Sequence, residues 1–241
     1  MKKNGIHTEF YENGEKKSDG TYKDGKADGL YTEWYENGKK KSEGNYKGVD
    51  RWNQPQKIGK WTGWHENGQK ESEKTYKNGE TDGLYTEWYE NGQKSDEGTY
   101  KDGKSDGLLT WWYENGQKSD EGNLKDGKLV GFWTFWYENG KKASEGNIKD
   151  GKPDGLRTFW HENGKKKSEG NLKDGKSDGL VTEWDENGHK WLESTYKNDK
   201  LNGLWTEWND NGQKLSEKTF KDGELISEKC WDGDGNEKEC N

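Results

Sequence analysis

The chain has 241 residues, of which only 24% are hydrophobic and 37% are charged, and its formal net charge is -8. That balance normally signals disorder, and it excludes a thick, closed core. Acidic and basic residues are interleaved, so there is no basic stripe to track a nucleic-acid backbone, and no run of about 18 apolar residues that would span a membrane as a helix. What argues for order is 15 Trp and 12 Tyr recurring in register, since each ring buries a large area for one residue.

Met1-Lys2-Lys3-Asn4 enters a repeat at once, with no apolar signal segment after it. The chain therefore reads as cytosolic as written, or as one from which a leader has been removed. The repeat is 24 residues long and opens at Gly5, Gly29, Gly59, Gly83, Gly107, Gly131, Gly155, Gly179 and Gly203, with one 30-residue step from Gly29 to Gly59. Such self-similarity predicts a stacked architecture in which each unit draws stability from its neighbours. Within the copy at Gly83, Leu84 to Tyr89 alternates like a strand and is rich in aromatic and β-favouring residues. Asn91-Gly92 predicts a tight type I′ hairpin turn, Gln93 to Lys101 a second strand, and Asp102 to Gly107 a longer return turn. The fold class expected is all-β: an elongated antiparallel meander of about 18 strands in a single-layered twisted sheet, on the order of 85 Å long at roughly 4.8 Å per strand. Its domains are a repeat region over 1–229 and a C-terminal tail over 230–241.

Leu84, Thr86 and Trp88 point to one face of the first strand, and Tyr85, Glu87 and Tyr89 to the other. The Trp column, after Phe10, runs Trp34, Trp64, Trp88, Trp112, Trp136, Trp160, Trp184 and Trp208, and reads as a structural ladder. Tyr100 and its equivalents (Tyr22, Tyr46, Tyr76, Leu124, Ile148, Leu172, Tyr196 and Phe220) are expected on that same packed face, with Gly98 and its counterparts beside the Trp rings. A strict two-residue turn would put Tyr100 opposite Trp88. The expectation therefore requires a bulge or a longer turn that flips the alternation.

Function is sought where the copies differ. Most copies carry Glu at the place of Glu87, but three consecutive ones carry Trp111, Phe135 and Phe159. With Leu109, Tyr113, Trp133, Tyr137, Arg157 and His161 these predict an exposed aromatic patch for a protein partner. Homo-oligomer contact and intramolecular packing are the rival readings. The insertion over about 48–58 predicts a protruding loop, because Pro55 cannot donate a ladder hydrogen bond. Trp52 is its candidate contact anchor, and packing over the first repeats is the alternative.

The four histidines fall in different repeats with no Ser/Asp partner pattern, so neither a triad nor a metal cluster is expected. Asp102 to Gly107 echoes a calcium loop but carries Lys at the third position, where a ligand oxygen is needed. Asp232-Gly233-Asp234-Gly235-Asn236 has ligand types at alternate positions, yet reads more plainly as a turn. Cys230 and Cys240 have two readings, a disulfide clip in an oxidising compartment or two free thiols. No metal and no cofactor are expected.

The run Glu-Gly-x-Tyr-Lys-Asp-Gly-Lys, as at Glu97 to Lys104, followed by Asp-Gly-x-x-Thr-x-Trp-Tyr-x-Asn-Gly, resembles the MORN-repeat family. It is closest to the bacterial variant found in proteins labelled YwqK-family antitoxins. The resemblance covers nearly the whole chain. It implies a row of β-hairpins, and protein binding or scaffolding rather than catalysis. The label further implies neutralisation of a partner toxin. The rival functions are a self-assembling structural protein and a glycan or cell-wall binder using exposed aromatics.

Overall fold

The computed structural model describes residues 2–240, and they contain strands and no helix. Two compact units are present, one holding residues up to 118 plus 124–128, the other 119–123 plus residues from 129 onward. The first unit has β1 (Gly5–Phe10), β2 (Lys16–Lys23), β3 (Lys26–Trp34), β4 (Lys40–Val49), β5 (Pro55–Trp64), β6 (Lys70–Lys77), β7 (Glu80–Trp88), β8 (Lys94–Lys101) and β9 (Lys104–Trp112). β10 (Lys118–Lys125) holds residues of both units, and the second continues with β11 (Lys128–Trp136), β12 (Lys142–Lys149), β13 (Lys152–Trp160), β14 (Lys166–Lys173) and β15 (Lys176–Trp184). It ends with β16 (Lys190–Lys197), β17 (Lys200–Trp208), β18 (Lys214–Lys221), β19 (Glu224–Trp231) and β20 (Glu237–Lys238). Within each unit every pairing is antiparallel and joins strands consecutive in the chain.

The two kinds of turn exchange the roles expected of them. Asn91 keeps a negative φ and only Gly92 is left-handed, at 84°. Gly92 N donates to Tyr89 O and Tyr89 N to Gln93 O, both at 2.9 Å, so three residues form the loop and the glycine takes the position that needs positive φ. The tight two-residue turn is the other one. Lys101 pairs with Lys104, and both Asp102 (φ 48°) and Gly103 (φ 74°) are left-handed, as type I′ requires.

This geometry also overturns the expected flip. A three-residue loop does shift the parity, but a bulge between Glu87 and Trp88 shifts it back. The body of the hairpin therefore pairs Tyr85 with Gly98, Thr86 with Glu97 and Gly83 with Tyr100. Tyr100 lies with Tyr85 on one face, here the Tyr face, and Trp88 lies with Leu84 and Thr86 on the other, the Trp face.

The Tyr face holds the core. A ring or branched chain at the Tyr85 position lies across a column of glycines and fills the space their missing side chains leave. Tyr85 is 5%, Leu109 4% and Trp133 2% exposed. A Cβ added at Gly44 would come within 2.2 Å of the Trp61 ring, and one at Gly122 within 2.2 Å of Trp133. His7, Tyr22, Tyr31, Tyr46, Trp61 and Tyr76 continue edge to face along the first unit, with centroids 4.9–6.5 Å apart. The glycines thus lie beneath the Tyr85 column and not beside the Trp ladder.

On the Trp face the Trp rings are half-exposed, and a Lys ammonium stands over Trp34, Trp64, Trp88, Trp112, Trp160, Trp184 and Trp208, as Lys70 does over Trp88 at 5.6 Å. That Lys also pairs with the Glu three residues on, Lys70 with Glu73 at 2.6 Å. Outside this network runs a column of exposed aliphatic residues, of which Leu84 is 57% exposed.

The invariant Asn-Gly has a second role. Asn91 Oδ1 accepts from Gln93 N at 2.9 Å, while its Nδ2 donates to Glu114 O, 23 residues on, at 2.7 Å. Tyr89 OH donates to Trp112 O at 2.6 Å. Where the Tyr is replaced by His65, its ring nitrogen bonds Trp88 O at 2.8 Å. Within each unit, side chains of one turn thus bond the backbone of the next, as Asn139 does to Glu162 O at 2.9 Å in the second unit.

Candidate functional site: an aromatic surface around Arg157

Of the residues expected in an exposed patch, Leu109 and Trp133 are core, because each lies across the glycine column. Tyr137 and His161 belong to the turn ladder, bonding Trp160 O at 2.6 Å and Trp184 O at 2.9 Å. In the first unit Trp111 and Tyr113 are half-buried.

In the second unit the strands bring four residues into two rows on the Tyr face. Trp133, Gly146 and Arg157 pair across β11, β12 and β13, and so do Phe135, Ser144 and Phe159. Gly146 leaves room for the Arg157 stem, whose Cγ lies 3.1 Å from where a Cβ would stand. The Arg157 guanidinium sits 5.9 Å from the Phe135 ring and 5.0 Å from the Phe159 ring. Phe135 in turn stacks on Trp133 at 6.1 Å. Phe159 is 38% exposed.

Arg157 is anomalous electrically. Its Nε is buried without a hydrogen-bond partner, and burial pulls its pKa below the ordinary arginine value. Two cations at the same strand position on this face, Lys74 and Lys218, do have carboxylates, Lys74 with Glu87 and Lys218 with Glu228 at 3.0 Å. Arg157 has none among the described residues because Phe135 and Phe159 stand where Glu33, Glu87, Glu183 and Glu207 stand in other repeats. Sequence reading found these residues as departures from the repeat. It missed the unpaired charge, which depends on knowing what faces Arg157 across the sheet.

The insertion extends β4 and β5 beyond Lys47 and turns over residues 50–54. Its Trp52 is 66% exposed and carries the Arg51 guanidinium 3.9 Å above its ring. At the C-terminus Cys230 and Cys240 are joined in a disulfide that ties the end of the chain to β19. Glu228 lies close to both sulfurs, but with the sulfurs bonded to each other neither is a thiolate ligand. Asp232 turns its Oδ1 onto the N–H groups of Asp234 and Asn236, at 3.0 and 2.9 Å, as a turn carboxylate does. His7 and His189 sit in different repeats, on Asn4 O at 3.1 Å and Asp185 at 3.5 Å.

In each unit, hairpins in series, with turn-to-turn bonds and a glycine-aromatic column on one face, define a β-hairpin repeat protein. Nine segments match the MORN repeat variant: residues 3–24, 27–47, 57–78, 81–102, 105–126, 129–150, 153–174, 177–198 and 201–222. The chain belongs to that family, whose repeats generally serve as protein- or membrane-binding scaffolds. No helix among the described residues is long and apolar enough to cross a membrane. No curated protein matches the chain. Solved structures similar to it include crystal structures of TcdB2-TccC3-Cdc42 and of TcdB2-TccC3, each 11% identical over 94% of this chain with a TM-score of 0.22. The chain spans 14% of the length of those chains.

Proposed function

We propose that this chain is a non-enzymatic protein-binding scaffold whose contact surface on the second unit is centred on Arg157 between Phe135 and Phe159. The observation that carries the reading is the unpaired Arg157. A half-buried guanidinium without a carboxylate is costly, and a partner that supplies an Asp or Glu carboxylate between apolar side chains removes that cost. Arg and aromatic residues are also the side chains that dominate binding energy at interfaces. The finer reading, taken from the YwqK-type resemblance, is that the partner is a toxin neutralised by capture.

The test is co-purification with the product of the neighbouring gene. Wild type is compared with a Phe135→Glu/Phe159→Glu variant, which restores the residue type of the other repeats, and with Arg157→Glu. Both variants should fold, and both should lose the partner. Undiminished capture by the folded variants refutes the surface. A neighbouring product with no growth toxicity refutes the antitoxin reading alone.

The second reading is self-association, favoured by Ile6 and Phe10, both exposed on β1. Sedimentation over a concentration range separates the two, since a strict monomer excludes assembly.

A further inference from the structure

The longer connection between β4 and β5 builds a cleft on the Tyr face of the first unit. Its loop is tied by its own hydrogen bonds: Asp50 Oδ1 accepts from Trp52 N at 2.9 Å and Gln54 N at 2.8 Å, and Asn53 N donates to Asp50 O at 2.9 Å. The cleft beside it is open to solvent and measures about 780 Å³, a volume within the range of small-molecule sites. Tyr46 and Lys57 line it, the loop supplies Arg51 and Trp52, the turn after β6 supplies Asn78, and the start of β7 supplies Glu80.

Two cations face this space without an ion pair. Lys57 Nζ lies 4.2 Å from the Trp61 ring centroid and 5.2 Å from that of Tyr76. Arg51 is stacked on Trp52. Neither has a carboxylate oxygen within ion-pair distance among the described residues, whereas Lys60, Lys70 and Lys74 nearby all do. Burial lowers the Lys57 pKa, against the weaker opposing effect of Glu33. The acids at the cleft are otherwise placed. Asp50 turns inward to hold the loop, and Glu80 is exposed at the border, where it disfavours a second negative charge on any occupant.

We propose that this cleft binds a small ring-shaped ligand bearing a single carboxylate, the carboxylate on Lys57 and Arg51 and the ring against Trp52 and Tyr46. A charge-assisted hydrogen bond to Lys57 supplies the affinity. The flat body of the ligand, whether a sugar acid or an aromatic acid, uses the aromatic walls. The site is independent of the Arg157 surface.

The experiment titrates the full chain, labelled with 15N at tryptophan, with methyl β-glucuronide, benzoate and methyl β-glucoside. The Trp52 indole resonance, assigned through Trp52→Phe, is followed. At least one of the two acids should shift it saturably, and the uncharged glucoside should bind about tenfold more weakly or not at all. Lys57→Gln should weaken the acid about tenfold. A response to the glucuronide identifies a sugar acid, and a response to benzoate alone an aromatic acid. No response to either acid, equal binding of the glucoside, or undiminished affinity in a folded Lys57→Gln chain overturns the proposal. Arg51→Ala, a change in an exposed loop, tests the second carboxylate contact should Lys57→Gln fail to fold: a loss of acid affinity upholds the shared carboxylate site, and undiminished affinity overturns it.

Discussion

Gly122 and Trp133 form the contact in which the packing scheme of the second unit can be tested most sharply. Gly122 has no left-handed φ, so its backbone accepts alanine, and Gly→Ala in a strand would ordinarily stabilise by about 0.5–1 kcal/mol. Here the added Cβ would stand 2.2, 2.3 and 2.6 Å from Cδ2, Cε2 and Cγ of Trp133. The indole, 2% exposed and donating to Val130 O at 3.2 Å, has nowhere adjacent to go. Overpacking of this kind costs about 1–3 kcal/mol, so Gly122→Ala should destabilise on balance by about 1–2 kcal/mol. Trp133→Ala alone should cost about 3–5 kcal/mol. In that background the obstacle is gone, and Gly122→Ala should recover its ordinary gain of about 0.5–1 kcal/mol. The coupling between the two sites is then about 2 kcal/mol. Repeat arrays do not unfold as one state, so native-state amide exchange in β11 and β12 is the suitable assay. A rise in protection for Gly122→Ala alone, or effects that add within about 0.5 kcal/mol, would refute the claim that the ring packs over the glycine.

The remaining predictions use other parts of the molecule. Asn91→Ala should lose about 1 kcal/mol through the bonds to Gln93 N and Glu114 O. Asp102→Gly should be neutral or stabilising because φ is 48° there, and equal losses at both turns in chemical denaturation would contradict the turn assignment. Arg157→Leu should leave stability unchanged or raise it by about 1 kcal/mol, since it removes a half-buried charge that has no carboxylate partner among the described residues; a large loss in thermal melts would mean that the guanidinium has a partner. The Lys166 ammonium, with a hydrogen bond from Thr158, holds the Glu169 carboxyl below its ordinary value against the opposing effect of burial. That contribution is complete above the unfolded glutamate pKa and is lost as pH falls through the lowered one. Wild type should therefore lose more stability than Glu169→Gln on descending below about pH 4.5, and parallel melting curves would remove the effect. Reducing the Cys230–Cys240 disulfide should raise amide exchange in β19 and β20 and leave β13 and β14 unchanged, because the clip closes only a 10-residue separation.

Strand identity was legible in the sequence because period-2 patterning, Asn-Gly and Asp-Gly dipeptides and a fixed repeat are local signals. The hairpin register was legible in part: the alternation that pairs Tyr85 with Gly98 is the one a strict two-residue turn predicts. The packed face was not legible from recurrence, since the Trp column recurs in almost every copy without forming the packed side. Its recurrence has another cause, the Lys over these rings and the Lys–Glu pair beside them. Glycine recurrence was the stronger signal, because a strand glycine needs a neighbouring ring to cover it.

By itself the sequence determined the hairpin, the repeat and the places where the repeat is broken. These depend on backbone preferences within a few residues. Only the tertiary structure decided which face is core, that Leu109 and Trp133 are covered, and that Arg157 is left without a carboxylate. Each depends on what stands across the strand, and a single residue of bulge or loop moves every side chain to the other face.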